Sequence, residues 1–332
     1  MLITQLRRRD FITLLGGTAA AWPLAAQAQQ PAQLVRRIGM LSGFAEDRLV
    51  ESELLRTLSQ LGWDNGRNVQ IDLRWGAGNI DRIKMMAKEL VASQPEIIIT
   101  VGTPATVAVQ RETRTIPIVF LIVADPVGAG IVDNLARPGG NTTGLGNPEG
   151  SFGGKLLTLL KRTAPRMRRA AAMFNPDTAP SRGLYYLGSF EAAARSLAIE
   201  PLIAEVRNDG DIERVITTLG QEEAGLVALP DNFMFTHRGT VIGLSIRNNV
   251  PTIYDSVDFA KEGGLLQYGA SFPDMYRRVP SYADRILRGA KPGDLPVELP
   301  TKYEFVINLK TARAMGLDVS PDMLSIADEV IE

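Results

Sequence analysis

Polar side chains follow the strand-like hydrophobic segments of this sequence at the points where those segments end. They are Ser42, Thr103, Thr106 and Asp125 in the first half, and Asn175, Ser181, Asp231, Asn232, Tyr254, Asp255 and Tyr268 in the second half. Parallel strands end at one edge of a sheet, and α/β sheets bind ligands in the crevice beyond that edge. If two such sheets face each other, we expect these side chains to converge on one ligand-binding cleft.

One of these strand ends has the features of an anion site. Residues 97–106 (IIITVGTPAT) read as a buried parallel strand that turns at Gly102 and opens a helix, with Thr103 as the predicted N-cap. The N–H groups of Ala105 and Thr106 should then point into the crevice, where a helix start attracts negative charge. The alternative is an ordinary strand-to-helix corner that binds nothing.

The second half supplies groups of the opposite kind. Asp231 offers a carboxylate for a cation, and Tyr254 and Tyr268 offer apolar walls. Together with the helix start, these groups suit a zwitterionic amino acid that carries an apolar or aromatic side chain. Each has a structural alternative: Asp231 and Asn232 would cap a turn, the two tyrosines would lie in the core, and Asp125 would cap its own helix.

Composition excludes several other kinds of chemistry. The 332 residues carry a net charge of −1 and include no cysteine and one histidine, His237. Disulfides, thiolate chemistry and multi-histidine metal sites are therefore excluded, and no basic surface points to nucleic acid. A dinucleotide-binding loop fails at Asp133, and a partial phosphate loop at 150–155 has the wrong spacing. We expect a binding protein that acts as a monomer, without cofactor, metal or catalytic residues.

The first 28 residues have the pattern of an export signal. Residues 7–9 (RRR) precede a short apolar stretch at 11–21, and residues 26–28 (AQA) fit a small-x-small cleavage site. The run RRDFI resembles the twin-arginine export motif. We expect residues 1–28 to be removed and the mature protein to reach the periplasm. The alternative is an uncleaved N-terminal anchor.

Strand-like and helix-like segments alternate along the rest of the chain, which predicts an α/β fold with parallel sheets. A turn-rich break at residues 137–144 separates two similar halves, and the elements after about residue 271 are expected to return to the first half. We therefore predict two Rossmann-like lobes. The first comprises residues 34–145 and 271–292, and the second comprises residues 146–270 and 293–332.

Two predicted helices border the expected cleft. One covers residues 127–135, directly after Asp125, and would offer a second set of helix-start N–H groups. The other covers residues 181–197 and carries Leu184, Leu187 and Phe190 at helical spacing.

Several longer motifs resemble one family. They are RRRDFITLLGG (7–17), TVGTPAT (100–106), IPIVFLIVADPVGAGIV (116–132), GGNTTG (139–144), FNP (174–176), ALPDN (228–232) and the tail that begins at GGLLQYGAS (263–271). In these motifs the chain resembles the tryptophan/tyrosine-type substrate-binding proteins of ABC transporters, over essentially the whole mature sequence. The resemblance implies a type I periplasmic binding fold, with a hinge of three crossings and a ligand held between the lobes.

The resemblance also implies roles for individual residues. In family members that bind aromatic amino acids, the ligand carboxylate meets the helix start formed here by Thr103, Ala105 and Thr106, and the ammonium meets Asp231 and Asn232. It further implies delivery to a membrane permease with its own ATPase. We therefore predict an exported solute-binding protein for an amino acid or a related carboxylate.

Two alternative functions would use the same cleft. One is an exported hydrolase, which the absence of a nucleophile–base pair disfavours. The other is a ligand-sensing module that passes its closed state to a membrane receptor.

Overall fold

The computed structural model describes residues 35–332 apart from Asp47, Pro148 and Ser256. The predicted export signal, residues 1–28, lies outside this range. Across the described part of the chain, no helix has the length and apolar character needed to cross a membrane. The described residues form two α/β lobes, each built on its own sheet, which confirms the predicted fold class.

The first sheet is parallel throughout and has the strand order β2-β1-β3-β4-β5. Its strands are β1 (Arg36–Ser42), β2 (Val69–Trp75), β3 (Ile97–Val101), β4 (Ile118–Val123) and β5 (Thr142–Gly146). The connections carry α1 (Arg48–Gln60), α2 (Ile80–Ala92) and α3 (Thr103–Glu112). Strands β3 and β4 are buried along their whole length, and their sequences accordingly lack polar alternation.

The second sheet has the order β12-β11-β10-β9-β8-β6-β7 and is parallel except for the β10–β11 pair. Its strands are β6 (Arg169–Phe174), β7 (Glu200–Glu205), β8 (Gly225–Ala228), β9 (Thr252–Tyr254), β10 (Leu266–Ala270), β11 (Tyr303–Asn308) and β12 (Glu329–Ile331). The helices that follow α3 in the chain are α4 (Phe152–Thr163), α5 (Leu184–Ser196), α6 (Asp209–Gln221), α7 (Asn232–Thr236), α8 (Arg238–Arg247), α9 (Val257–Lys261), α10 (Phe272–Leu287), α11 (Leu309–Ala314) and α12 (Pro321–Ser325). Because β6, β8 and β9 are parallel neighbours, the loops after them lie along one edge of the sheet.

Helix α10 returns the late part of the chain to the first lobe. It follows β10 of the second sheet, but its buried face shares a hydrophobic core with β1, β3 and β4. The chain therefore passes between the sheets three times: after β5, after β10 and before β11. Backbone hydrogen bonds join these crossings, from Gly146 N–H to the Glu298 carbonyl (2.8 Å) and from Ser271 N–H to the Lys302 carbonyl (3.1 Å).

Two helix predictions near the cleft need correction. Residues 127–135 form turns instead of a helix, since the Asp125 side chain accepts a hydrogen bond from Gly128 N–H (2.9 Å) and closes a turn there. The prediction of a second set of helix-start N–H groups is therefore wrong. Helix α5 begins at Leu184 instead of residue 181, because Ser181 and Arg182 both have positive φ angles that interrupt a regular helix.

Residues 142–146 lie in the sheet and not in a turn-rich break. They form β5, which is buried and pairs with β4. A Cβ atom at Gly144 would lie 2.0 Å from the Phe120 carbonyl oxygen, so only glycine allows the two strands to approach this closely.

Candidate ligand-binding site

A small cavity lies where the two lobes meet, beyond the carboxyl ends of strands from both sheets. The first lobe lines it with Phe44, Thr103, Ile122, Ala124 and Phe272, the crossing after β5 with Asn147, and the second lobe with Thr178, Pro180, Pro230, Asp231, Asn232, Phe235 and Asp255. Its volume is about 20 Å³, which is room for about one water molecule. A neighbouring groove of about 240 Å³ shares Thr103, Ala124, Thr178 and Pro180 with it.

Helix α3 presents its N-terminus to this cavity through Thr103. Gly102, with a φ of 88°, is the N-cap residue in place of Thr103, because the turn needs a conformation that favours glycine. The first intrahelical hydrogen bond runs from Thr106 N–H to the Gly102 carbonyl (3.2 Å), so the Thr106 N–H does not point at a ligand as predicted. The N–H groups of Thr103 and Ala105 remain as the donors without an intrahelical partner.

The side chain of Thr106 has a structural role. It is buried, and its Oγ1 forms hydrogen bonds with Thr100 Oγ1 (2.8 Å) and with the Gly102 carbonyl (3.0 Å). It therefore fixes the corner between β3 and α3 and does not line the cavity. Ala105 is also buried, so its contribution to a ligand would come from its backbone N–H alone.

Asn232 reaches from the second lobe into the first. A Cβ atom added at Gly43 or at Gly102 would come within 2.4 or 2.6 Å of its Nδ2 atom. Asn232 is buried, and within the described residues its Nδ2 has no hydrogen-bond partner. Asn147 Oδ1, in the crossing after β5, is a buried acceptor that likewise has no hydrogen-bond partner among the described residues. Buried polar atoms are normally paired, so the cavity presents an unused donor and an unused acceptor.

Asp231 is a buried carboxylate that the protein itself engages. Its Oδ2 accepts a hydrogen bond from Asn175 N–H (2.7 Å), and its Oδ1 accepts hydrogen bonds from Phe233 N–H (3.0 Å) and from Thr178 Oγ1. Burial raises the pKa of Asp231 to about 6, and these three donors oppose the rise. Asp231 thus caps α7, as the structural alternative predicted, and it also lines the cavity.

Asp255 is the second carboxylate of the cavity, and it follows β9 just as Asp231 follows β8. Burial raises its pKa to about 7, and the negative charge of Asp231 adds to the rise. Among the described residues that line the cavity there is no lysine, arginine or histidine. The sequence marked Asp255 only as one strand-end residue among many. A stronger signal for the site was that an aspartate follows both β8 and β9.

Four predicted residues lie around the cavity without lining it. Ser42 is buried, and its Oγ accepts a hydrogen bond from Phe44 N–H (3.1 Å), which shapes the exit from β1. Asn175 is also buried, and its Oδ1 accepts a hydrogen bond from Asp177 N–H (2.8 Å). Asp125 and Ser181 line the neighbouring groove, on opposite lobes.

The two tyrosines predicted as apolar walls lie elsewhere. Tyr254 is fully buried and stacks on Phe259 at 4.4 Å between ring centroids, so it belongs to the core of the second lobe. Tyr268 stacks on Phe152 (5.4 Å) and Tyr303 (5.7 Å), and these three rings line a different pocket. The aromatic walls of the cavity are Phe44, Phe235 and Phe272, which strand-end reasoning missed because loops and helix starts supply them.

Comparison with known proteins identifies the family. The family model described as ABC transporter substrate binding protein matches residues 39–331. The chain belongs to this family. A tyrosine-binding protein of Clostridioides difficile (strain R20291) is 24% identical over 263 residues, which cover 79% of this chain and 75% of the relative.

Solved structures share the fold of this substrate-binding protein. A conserved domain protein from Vibrio cholerae superimposes with a TM-score of 0.82 at 23% identity, covering 89% of this chain and 99% of the other. A protein from Streptococcus pneumoniae in complex with L-Trp gives 0.81 at 23% identity, with the same coverage. The ligand-free, open structure of a substrate-binding protein from Clostridium difficile gives 0.65 at 22% identity, covering 90% and 99% of the two chains.

Proposed function

We propose that this substrate-binding protein captures an amino acid with an aromatic or apolar side chain and delivers it to an ABC permease. The observation that carries the proposal is the lining of the cavity between the lobes. Two carboxylates, with no cation among the described lining residues, lie together with unused amide and helix-start groups around one cavity. A molecule with one positive and one negative group is complementary to that set.

The placement of the ligand follows from the charges. Its carboxylate would accept hydrogen bonds from Asn232 Nδ2 and from the start of α3, where the helix dipole favours negative charge. Its ammonium group would lie beside the two carboxylates of the cavity, Asp231 and Asp255, with Asn147 Oδ1 as a further acceptor. Its side chain would pack against Phe44, Phe235 and Phe272. The relatives named for tyrosine and solved with L-Trp support an aromatic amino acid.

Capture requires the lobes to separate. The cavity of about 20 Å³ is far smaller than the roughly 300–1,000 Å³ of small-molecule sites, so an amino acid enters only after the lobes move apart. The three crossings between the sheets are the natural hinge for this motion. We assign residues 34–145 with 271–292 to one moving lobe and residues 146–270 with 293–332 to the other, which the packing of α10 on the first lobe supports.

We also propose that the protein acts in the periplasm, as a monomer. The periplasmic location rests on the twin-arginine pattern and the cleavage site within residues 1–28. Membership of an ABC transporter family supports the permease as its membrane partner.

A thermal-shift screen tests the function. L-tyrosine, L-tryptophan, L-phenylalanine and L-leucine would be added to the protein purified without residues 1–28, with glucose as a neutral control. A ligand at 100 times its dissociation constant stabilises by about 2.7 kcal/mol, which is a Tm rise of roughly 4–5 °C for a chain of this size. We expect such a rise with at least one aromatic amino acid and none with glucose. Stabilisation by glucose alone, or by no amino acid at all, would refute the amino-acid function.

A further inference from the structure

The two carboxylates of the cavity differ in how much of their hydrogen-bonding capacity the protein uses. A carboxylate has about four acceptor positions. Asp231 fills three of them with protein donors, namely two backbone N–H groups and the Thr178 hydroxyl. These bonds tie the turn after β6 to the start of α7. Asp231 therefore has little capacity left for the three N–H donors of an ammonium group.

Asp255 has most of its capacity free. Unlike Asp231, it accepts no hydrogen bond from another described residue. It is partly buried and lines the cavity beside Asp231, with no lysine, arginine or histidine among the described lining residues to balance either charge. A carboxylate held away from water without a cation is unfavourable, and an incoming cation removes that penalty.

We infer that Asp255 is the residue that binds the ammonium group of the ligand and makes the site selective for amines, whereas Asp231 is a positioning residue that holds the loops around it. This inference rests on the proposed function. It revises the role of ammonium partner that the family resemblance implied for Asp231.

Selectivity follows from charge. An amino acid brings one positive group to the two carboxylates, so its ammonium can neutralise Asp255 directly. The same molecule without its amine brings a third negative group into a cavity that already holds two, and it leaves Asp255 unpaired. The site should therefore reject des-amino acids strongly, as sites with buried polar groups reject analogues that leave those groups unpaired.

The test compares two ligands on four proteins. The ligands are L-tyrosine and its des-amino analogue 3-(4-hydroxyphenyl)propanoate, with L-tryptophan and 3-(indol-3-yl)propanoate as a second pair. The proteins are the wild type, Asp255→Asn, Asp231→Asn and Asp209→Asn. Asp209 is an exposed residue of α6 that pairs with His237, so its variant makes the same charge change outside the cavity. Calorimetry gives the ratio of the two dissociation constants for each protein.

We expect the wild type and Asp209→Asn to prefer the amino acid, and Asp255→Asn to lose about 10- to 100-fold of that preference. Asp231→Asn should weaken both ligands while keeping most of the preference, since it loosens the loops and leaves the counter-ion in place. A preference that survives in Asp255→Asn, or that disappears only in Asp231→Asn, would overturn the inference.

Failure of the proposed function would give a different result. If the wild type binds neither member of either pair, and no amino acid of the thermal-shift screen either, the amino-acid function itself is wrong. If the wild type binds both members equally well, that function stands and the inference about Asp255 is wrong. Should Asp255→Asn fail to fold, ¹³C NMR of the wild-type Asp255 carboxyl decides: its pKa should fall when the amino acid binds, and a pKa that stays unchanged would overturn the inference.

Discussion

Asp255 should destabilise the folded protein at neutral pH when no ligand is bound. Burial raises the pKa of its carboxyl from 3.8 to about 7, so the folded state holds this proton more tightly than the unfolded state does. The free energy of unfolding therefore falls as the pH rises from about 4 to about 7. Asp255→Asn removes this titration, and we expect it to raise the Tm at pH 8 and to change the Tm little at pH 4.

Thermal unfolding of the wild type, Asp255→Asn and Asp209→Asn at both pH values measures this effect. One pKa unit corresponds to about 1.4 kcal/mol, so the gain at pH 8 should be a few kcal/mol at most. Asp209→Asn should show no gain in Tm at pH 8, because Asp209 is exposed. A gain of the same size at pH 4 and pH 8 would show that packing, and not charge, is responsible.

Individual site residues were predictable only where a strand end fixes them. Thr103 and Asp231 follow buried strands and line the cavity as expected. Tyr254 does not, because successive strand residues point to opposite faces and a strand-end position does not say which face meets the ligand. Phe44 and Asn147 lie in segments after strands, where no periodicity in the sequence indicates the direction of a side chain.

At the level of elements, α7 fits into the first lobe because two strand ends there lack side chains. Asn232 at the start of α7 lies against Gly43, which follows β1, and Gly102, which follows β3. A Cβ atom at Gly43 would lie 2.4 Å from Asn232 Nδ2 and 3.3 Å from the Val101 carbonyl oxygen, so its main clash is with the other lobe. Gly43→Ala should therefore hinder closure of the lobes more than folding of either lobe.

The expected result is weaker binding of the amino acid identified in the screen. Overpacking of this kind is worth about 1–3 kcal/mol, which is roughly 5- to 150-fold in the dissociation constant. Gly239→Ala in α8 is the matched control, because a Cβ atom there has no neighbour within 4 Å. The two substitutions should be less than additive in Gly43→Ala/Asn232→Ala, since Asn232→Ala removes the clash together with the amide proposed to donate to the ligand carboxylate. Unchanged affinity in Gly43→Ala would mean that closure of the lobes does not depend on the contact between Asn232 and Gly43.

Element order was more predictable than element detail. Hydrophobic periodicity gave α10 and the alternation of strands and helices, because long periodic segments dominate those signals. Periodicity did not predict the irregularity in β4 between Leu121 and Val123. There Ile122 adopts a φ of 57° and lines the cavity. A positive φ is rare for a β-branched residue, and no local sequence signal announces it.

For the whole molecule, the contact between the lobes depends on residues that are far apart in sequence. Phe44 of the first lobe meets Phe235 of the second edge to face, with 5.0 Å between ring centroids. Gly78 faces Thr236, whose Oγ1 would lie 3.2 Å from an added Cβ atom. Two lobes could be predicted from the repeated strand–helix pattern. Their closed arrangement could not, because nothing local in the sequence pairs these residues.

This arrangement gives ligand binding and ligand-free stability opposite dependences on pH. An ammonium group prefers ionised carboxylates, and burial holds the pKa of Asp231 at about 6 and that of Asp255 at about 7. Below these values the ligand must displace protons before it binds, so affinity for the amino acid should fall as the pH is lowered. The ligand-free protein should instead become more stable over the same range, because its carboxyls are then neutral.

Calorimetry at pH 8 and pH 5 with L-tyrosine or L-tryptophan measures the effect on binding. We expect affinity to be roughly 10- to 100-fold lower at pH 5, with protons taken up by the buffer on binding, since Asp255 releases its proton when it pairs with the ammonium group. In Asp255→Asn the decrease in affinity between pH 8 and pH 5 should be smaller, because one of the two titrating groups is gone. Affinity that is equal at both pH values would mean that the ammonium group does not pair with ionised Asp255.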